Sequence, residues 1–162
     1  MKKLTCLLAL LLLLSLSLGA CAEEPEAPNP YTFKAGALEI AIDAEADPIL
    51  SSLGEPKSYD ESPSCAYEDL DKVYTYAGFE IKTYTLKKVE YIASIRLLDD
   101  SCQTQKGITI GSEKDAVTKA YGTPASQTDS ALIYEAEGMK LQILLRNGLV
   151  SDIQYLKNEK SE

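Results

Sequence analysis

Two stretches of the chain share one pattern, and this doubling constrains the fold more than any other feature. "ILSSLGEP" occupies Ile49–Pro56 and "VTKAYGTP" occupies Val117–Pro124. Each is typical of the end of a short helix, where glycine lets the backbone leave the helix and a following proline prevents its continuation. A pattern that occurs twice predicts a structural unit that occurs twice.

The stretches that follow these helices also match each other. Val73–Thr85 is similar to Ile133–Leu145, and Tyr91–Asp100 is similar to Leu149–Asn158. Apolar and polar residues alternate in all of them, as in antiparallel strands with one dry and one wet face. The wet face is expected to carry Ser94, Arg96, Asp152 and Gln154. Glycine dipeptides predict hairpins at Ala77-Gly78, Glu137-Gly138 and Asn147-Gly148.

We therefore predict an α+β fold, a tandem repeat of a short helix packed on a three- to four-stranded antiparallel meander. The first repeat is expected over residues 36–104 and the second over 105–157, with a polar tail at 158–162. Ser112 with Asp115 predicts the start of the second helix, and Gly122 predicts its end.

The N-terminus has the organisation of an export signal. Lys2 and Lys3 precede an apolar run, and "LGAC" ends it at Cys21. This resembles the lipobox of bacterial lipoproteins, which implies cleavage before Cys21 and acylation of its thiol. Two or three acyl chains, palmitate among them, would anchor the protein stably. The alternative is an uncleaved membrane helix over residues 4–22, which is near the lower length limit for a span.

The predicted mature protein is acidic. Residues 1–20, the predicted lipoprotein signal peptide, contain two of the 16 Lys and Arg residues and none of the 25 Asp and Glu residues. Their removal changes the net charge from −9 to −11. Residues 21–35 are acidic and rich in proline, which predicts a tether. Such a charge argues against nucleic acid as a partner, and anionic lipid surfaces should repel it.

The cysteines divide by position. Cys21 is assigned to the anchor, which leaves Cys65 and Cys102 as an even pair in an exported protein. In an oxidising compartment this pair predicts a disulfide that ties the first repeat. Two separately buried thiols are the alternative.

The second half carries a family resemblance. "ITIGSEKDAVTKAYGTP", followed after a gap by "LIYEAEGMKLQILLRNGLVSDIQY", resembles the SmpA/OmlA lipoprotein family and the related β-lactamase-inhibitor-protein-like domains. The shared pattern is a strand, a short helix ending in G-x-P, and a meander with "NG" before its last strand. The resemblance covers 107–156 well and 36–100 more loosely. It implies a small envelope protein that binds other proteins through a sheet face or loops.

Catalysis and metal binding find little support in the sequence. The chain has no histidine, which removes the commonest general base, His-activated nucleophiles and most zinc sites. The acidic segment Tyr59–Asp71 lacks the glycine and the ligand spacing of a calcium loop, which favours a solvated loop. We predict no enzyme activity, no cofactor and no metal.

Tyrosine is the aromatic residue in excess, with ten copies and no tryptophan. Five copies crowd into one half of the predicted tandem, and alternation cannot place all of them inside. They form a candidate binding face, since tyrosine is favoured at interfaces. Ordinary strand propensity is the alternative reading. The five are Tyr67, Tyr74, Tyr76, Tyr84 and Tyr91.

Together these features predict a lipid-anchored protein on the extracytoplasmic face of the cell membrane. Its folded part would be a non-catalytic module that binds or assembles envelope or exported proteins. The alternatives are an inhibitor or sensor of one exported enzyme, and a small solute-binding lipoprotein.

Overall fold

The computed structural model describes residues 31–64, 70–136 and 138–158. The elements in chain order are β1 (Phe33–Ala35), β2 (Leu38–Ile40), α1 (Ala46–Leu53), β3 (Ser58–Pro63), β4 (Leu70–Thr75), β5 (Phe79–Leu86), β6 (Val89–Leu97), α2 (Lys114–Tyr121), β7 (Ser126–Gln127), β8 (Ala131–Ala136), β9 (Met139–Arg146) and β10 (Leu149–Lys157).

Strands β3 to β10 form one antiparallel sheet of eight strands. Their spatial order is β3-β4-β5-β6-β10-β9-β8-β7, and β1 and β2 form a separate hairpin. The centre of the sheet is the pairing of β6 with β10, in which Leu97 faces Ile153 and Ile95 faces Tyr155. The strands before residue 100 and those after residue 125 are therefore joined by backbone hydrogen bonds.

The predicted α+β class, a tandem of helix-on-meander units, is wrong. The described residues are mostly β, with 51% strand and 13% helix, and eight of their strands form one sheet. Alternation identifies strands in a sequence but does not say which strands pair across the chain. Each of the two helices within the described ranges has only eight residues, so helix contributes little to the architecture there.

Several local predictions can be compared with the structure. The second helix ends at Gly122, whose φ of 77° confirms the predicted glycine terminus, but its N-cap is Glu113 and no side chain caps it. The segment expected to be a solvated acidic loop, Tyr59–Asp71, overlaps β3 and the start of β4, so the loop prediction is wrong over residues 59–63 and 70–71. Every residue of the edge strand β3 is exposed. A strand with water on both faces does not show the alternation of apolar and polar residues by which strands are recognised in a sequence.

One hydrophobic core lies on one face of the sheet. Both helices and the β1–β2 hairpin contribute buried residues to it, and so do strands from both halves of the sheet. Phe33 of the hairpin packs 4.9 Å from Phe79 of β5 and 6.0 Å from Tyr155 of β10, measured between ring centroids. These contacts connect the hairpin to both halves of the sheet.

Tyr155 lies in this core with a polar atom that has no partner. Its side chain is 1% exposed, and among the described residues its hydroxyl makes no hydrogen bond. We expect Tyr155→Phe to raise the free energy of unfolding by about 1 kcal/mol, because it removes a buried hydroxyl left unsatisfied. Urea denaturation followed by circular dichroism measures this change.

Tyr134 provides the matched control. It is equally buried at 2% exposure, but its hydroxyl donates to the carbonyl of Gly122 at 3.4 Å. Tyr134→Phe removes a satisfied hydroxyl and should lower stability by about 0.5–1 kcal/mol. A loss of stability in Tyr155→Phe equal to that in Tyr134→Phe would contradict the prediction.

Candidate functional site

The face of the sheet opposite the core is named the open face. Pairing and alternation define its residues. In the central part of this face Asp152 is buried, and the other side chains named here are half-buried or exposed. They include Val73, Thr75, Glu80, Lys82, Ser94, Arg96, Ile133, Lys140, Gln142, Leu144, Gln154 and Leu156.

The other elements pack against the opposite face. Ala46 and Ile49 of α1, Val117 of α2, and Phe33 and Ile40 of the hairpin all belong to the core cluster. Within residues 31–64, 70–136 and 138–158, the helices and the hairpin thus cover the core face. In the same part of the chain, these elements leave the open face uncovered.

A row of side chains crosses the open face at its centre. Strand register places Glu80 of β5 beside Arg96 of β6, Arg96 beside Gln154 of β10, Gln154 beside Gln142 of β9, and Gln142 beside Ile133 of β8. Side chains directly opposite each other on adjacent strands lie about 5 Å apart at Cβ. The row therefore spans five strands with a nearly continuous, mostly polar surface.

Arg96 is the most constrained member of this row. Its Nε donates to Oδ1 of Asp152 at 2.9 Å, and Gln154 donates to Oδ2 of the same carboxylate at 2.6 Å. The nearest oxygen of Glu80 is 4.0 Å from Nη1 of Arg96. The hydrogen bond that Arg96 donates to Asp152 raises the pKa of Arg96 against the opposing effect of burial.

The exposure of this ion pair is uneven. The side chain of Arg96 is 48% exposed, whereas that of Asp152 is 11% exposed. A guanidinium has one N–H at Nε and four at its two Nη atoms. Asp152 therefore fixes the orientation of the group through Nε, and the Nη donors face the open side. This arrangement suits recognition of a carboxylate on another molecule.

Apolar side chains accompany the polar row. Leu144, Leu156, Ile133 and Val73 are half-buried on the same face. Protein-binding surfaces commonly combine a partly apolar centre with arginine and hydrogen-bonding groups. The open face has this composition.

The predicted tyrosine face is dispersed by the fold. Tyr67 lies outside the described residues. Tyr76 is 8% exposed and stacks on Phe79 at 5.2 Å, and Tyr84 is 4% exposed. Tyr74 and Tyr91 are half-buried. The structure thus does not assemble the described members of the set into one exposed surface.

The described tyrosines instead take separate partners. Tyr84 stacks on Tyr91 at 5.6 Å, donates to Asp43 at 2.9 Å and accepts from Lys157 at 2.8 Å. Burial raises the pKa of Tyr84. Tyr74 packs 5.1 Å from the ring of Tyr59.

Glu90 is the acceptor for Tyr74 and two further side chains. It receives hydrogen bonds from Tyr74 at 3.0 Å, from Lys72 at 2.6 Å and from Thr83. Burial raises the pKa of Glu90, but the three hydrogen bonds lower it more, so the net pKa is below its usual value. A carboxylate with this many partners stabilises the sheet as an anion.

The predicted cysteine sites are only partly within the described residues. Cys21 and Cys65 lie outside them, so the lipid anchor and the disulfide remain predictions. Cys102 follows β6 and is half-buried, with its Sγ 3.7 Å from the carbonyl oxygen of Ala77 and no disulfide to another described residue. Ser64, the residue before Cys65, lies just after β3, where Pro63 pairs with Leu70 at the start of β4. Cys102 lies near the opposite end of β4, beside Ala77. Burial raises the pKa of the Cys102 thiol.

The described part of the chain has neither a membrane-spanning helix nor a cluster of metal-ligating side chains. None of its helices is long and apolar enough to cross a membrane. It also contains no group of three or more Cys, Asp or Glu side chains that could hold a metal ion.

Sequence reasoning found part of the central cluster and missed the rest. Alternation assigned Arg96, Asp152 and Gln154 to a wet face, but Arg96 is 56 positions away from Asp152 in the chain. Their contact depends on the pairing of β6 with β10, for which the chain offers no local signal.

Comparison with known proteins adds no relative. No protein-family model matches the chain, and no curated protein or solved structure matches it either. The resemblance to the SmpA/OmlA family and to β-lactamase-inhibitor-protein-like domains therefore stays a prediction.

Proposed function

We propose that this chain is a lipid-anchored protein of the cell envelope whose folded part binds another protein and catalyses no reaction. Its binding surface is the open face of the eight-stranded sheet. The partner is an envelope or exported protein, and Cys21 holds the module at the extracytoplasmic face of the membrane.

The observation that supports this proposal is the way in which Asp152 orients the side chain of Arg96. An arginine whose Nε is fixed by a buried carboxylate, and whose Nη donors face outward, loses little conformational freedom when a partner binds. It lies at the centre of a broad, mixed polar and apolar face, where binding hot spots concentrate. A partner that presents an aspartate or glutamate to Arg96 would complete its hydrogen bonds.

The envelope assignment is supported by the N-terminal sequence. Lys2 and Lys3, the apolar run and the "LGAC" stretch have the order of a lipoprotein export signal. The acidic, proline-rich residues before β1 suit a tether between an acylated Cys21 and the folded part. The predicted tether, residues 21–35, overlaps β1 (Phe33–Ala35), so its C-terminal boundary is too late.

Site-specific photocrosslinking in the native envelope tests both parts of the proposal. A photoreactive amino acid at Gln142 would lie in the central row of the open face, and one at Ser51, exposed on α1, is the control position. We expect Gln142 to crosslink a discrete protein and Ser51 not to do so. Arg96→Ala should reduce this crosslink at least about tenfold, as expected for a hot-spot residue.

Two variants separate the contributions to this result. Lys82→Ala removes a positive charge from the same face without disturbing the pair of Arg96 and Asp152, and should change the crosslink less than about threefold. Cys21→Ser should release the protein from the membrane fraction. Equal crosslinking from Gln142 and Ser51 would reject the open face, and a membrane-bound Cys21→Ser protein would reject the lipid anchor. Capture of one stoichiometric exported enzyme would specify an inhibitor or sensor.

A further inference from the structure

A second concave surface lies away from the open face. It is a cleft of about 760 Å³ on the core side of the sheet. Its walls are the β1–β2 hairpin, the C-terminal end of α1, the turn between β4 and β5, and the segment from Ser101 to Gln105 that follows β6. Its volume is within the range of sites that bind small molecules.

Hydrogen bonds hold the 101–105 wall in place. The backbone N–H of Ser101 donates to Oδ1 of Asp99 at 2.9 Å. Thr104 is 2% exposed, its N–H donates to the carbonyl of Ile108 at 2.8 Å, and its hydroxyl accepts from the N–H of Ile108 at 3.1 Å. The cleft is therefore built before any ligand binds, which reduces the entropic cost of binding.

The opposite wall is connected to the same segment. Gln105 donates from Nε2 to the hydroxyl of Thr32 at 2.6 Å and to Oε1 of Glu39 at 2.9 Å. Phe33 of the hairpin packs on Phe79, which lines the cleft. Both walls are thus fixed relative to the sheet.

The chemistry of the lining is selective. Leu53, Tyr76 and Phe79 give it apolar and aromatic surface, and the rings of Tyr76 and Phe79 stack at an interplanar angle of 19°. Among the described residues that line the cleft, Lys34 is the only charged one. Its cross-strand neighbour Glu39 does not line the cleft and is engaged by Gln105. In a chain with a net charge of −9, a lining with one cation and no carboxylate favours an anion.

We propose that this cleft is a binding site for a small molecule that combines a planar apolar body with one anionic group. The apolar body lies against Leu53, Tyr76 and Phe79, and the anion lies near Lys34. The side-chain amide of Gln103 on the rim can donate a hydrogen bond to it. The hydroxyls of Ser52 and Ser101 already donate within the protein, to the carbonyl of Pro48 and to Asp99. This site is independent of the open face, since the two lie on different faces of the sheet.

A matched pair of probes tests the proposal. 2-Naphthalenesulfonate has the planar body and the anion, and 2-naphthalenemethanol has the same rings without charge. Binding of each to the full mature protein in lipid nanodiscs can be measured by ligand-observed NMR, with empty nanodiscs as the blank. We expect the sulfonate to bind more tightly than the alcohol, by roughly threefold, as expected for one exposed charge contact.

Lys34→Gln tests the anion contact. It should reduce the affinity for the sulfonate by roughly threefold and leave the affinity for the alcohol unchanged. Lys87→Gln, at an exposed lysine outside the cleft, is the control and should change neither probe. An equal effect of the two lysine substitutions would mean that Lys34 acts only through net charge, which overturns the anion part of the proposal.

A second pair of variants tests the location. Ser52 and Ser51 are both exposed on α1, but only Ser52 lines the cleft. Ser52→Trp should reduce the affinity for both probes at least about tenfold by filling the space, and Ser51→Trp should not. Wild-type protein that binds neither probe, or a Ser52→Trp protein that binds both as tightly as Ser51→Trp, would overturn the proposal.

Discussion

Ile153→Ala is expected to lower the free energy of unfolding by about 3–4 kcal/mol, a large part of the stability of a small domain. Ile153 is fully buried and lies at the centre of the sheet, between Leu97 of β6 and Ile143 of β9. Truncation there removes contacts from both halves of the core at once. Urea denaturation followed by circular dichroism measures the loss.

The same variant tests whether the two halves of the sheet unfold together. Hydrogen exchange read by mass spectrometry reports protection for β5 and for β8 separately. Because one core connects them, both should lose protection by the same free energy. Ser151→Ala, at an exposed position of the same strand, is the control and should cost less than about 0.5 kcal/mol. Wild-type protection of β5 in the Ile153→Ala protein would instead indicate two independent units.

Gly78→Ala should lower the free energy of unfolding by about 3 kcal/mol, because it strains the backbone and creates a steric overlap. Gly78 has a φ of 82°, which costs an alanine about 1–2 kcal/mol. A Cβ at this position would also lie 2.3 Å from Oγ of Ser101 and 2.8 Å from Sγ of Cys102. Ser101 is hydrogen-bonded to Asp99, so moving it away breaks that contact as well. The overlap adds about 1–3 kcal/mol.

Gly148→Ala separates the two contributions. Gly148 has a similar φ of 79°, but a Cβ there meets no atom within 4 Å. Gly148→Ala should therefore lower the free energy of unfolding only through backbone strain, by about 1–2 kcal/mol. Thermal or urea denaturation of both variants gives the difference between them. If both variants lose the same free energy of unfolding, Ser101 and Cys102 move away from the new Cβ without a measurable loss of stability.

The sequence by itself determined the local elements for which a local physical signal exists. Gly122 and Pro124 predicted the end of α2, because glycine accepts a positive φ and proline cannot extend a helix. Asn147-Gly148 predicted the β9–β10 hairpin, and both residues have positive φ. Alternation also separated core residues from wet ones, with Ile153 inside and Arg96 outside.

Elements without such a signal were not recognised. Lys87 and Lys88 form the β5–β6 turn with φ values of 50° and 69°, although lysine has no preference for that conformation. The turn exists because β5 and β6 pair along their length, from Phe79 with Leu97 to Leu86 with Val89. Strand pairing thus imposed a backbone conformation that the residues themselves do not favour.

The tertiary structure alone decided how the strands combine, and with that it decided the candidate sites. The contact of Arg96 with Asp152, and the walls that enclose the cleft, join residues far apart in the chain. Backbone hydrogen bonds between strands are the same for almost any side chains, so the sequence carries little local record of which strands pair. Burial of one shared apolar face selects the arrangement, and that free energy depends on the whole core rather than on any segment.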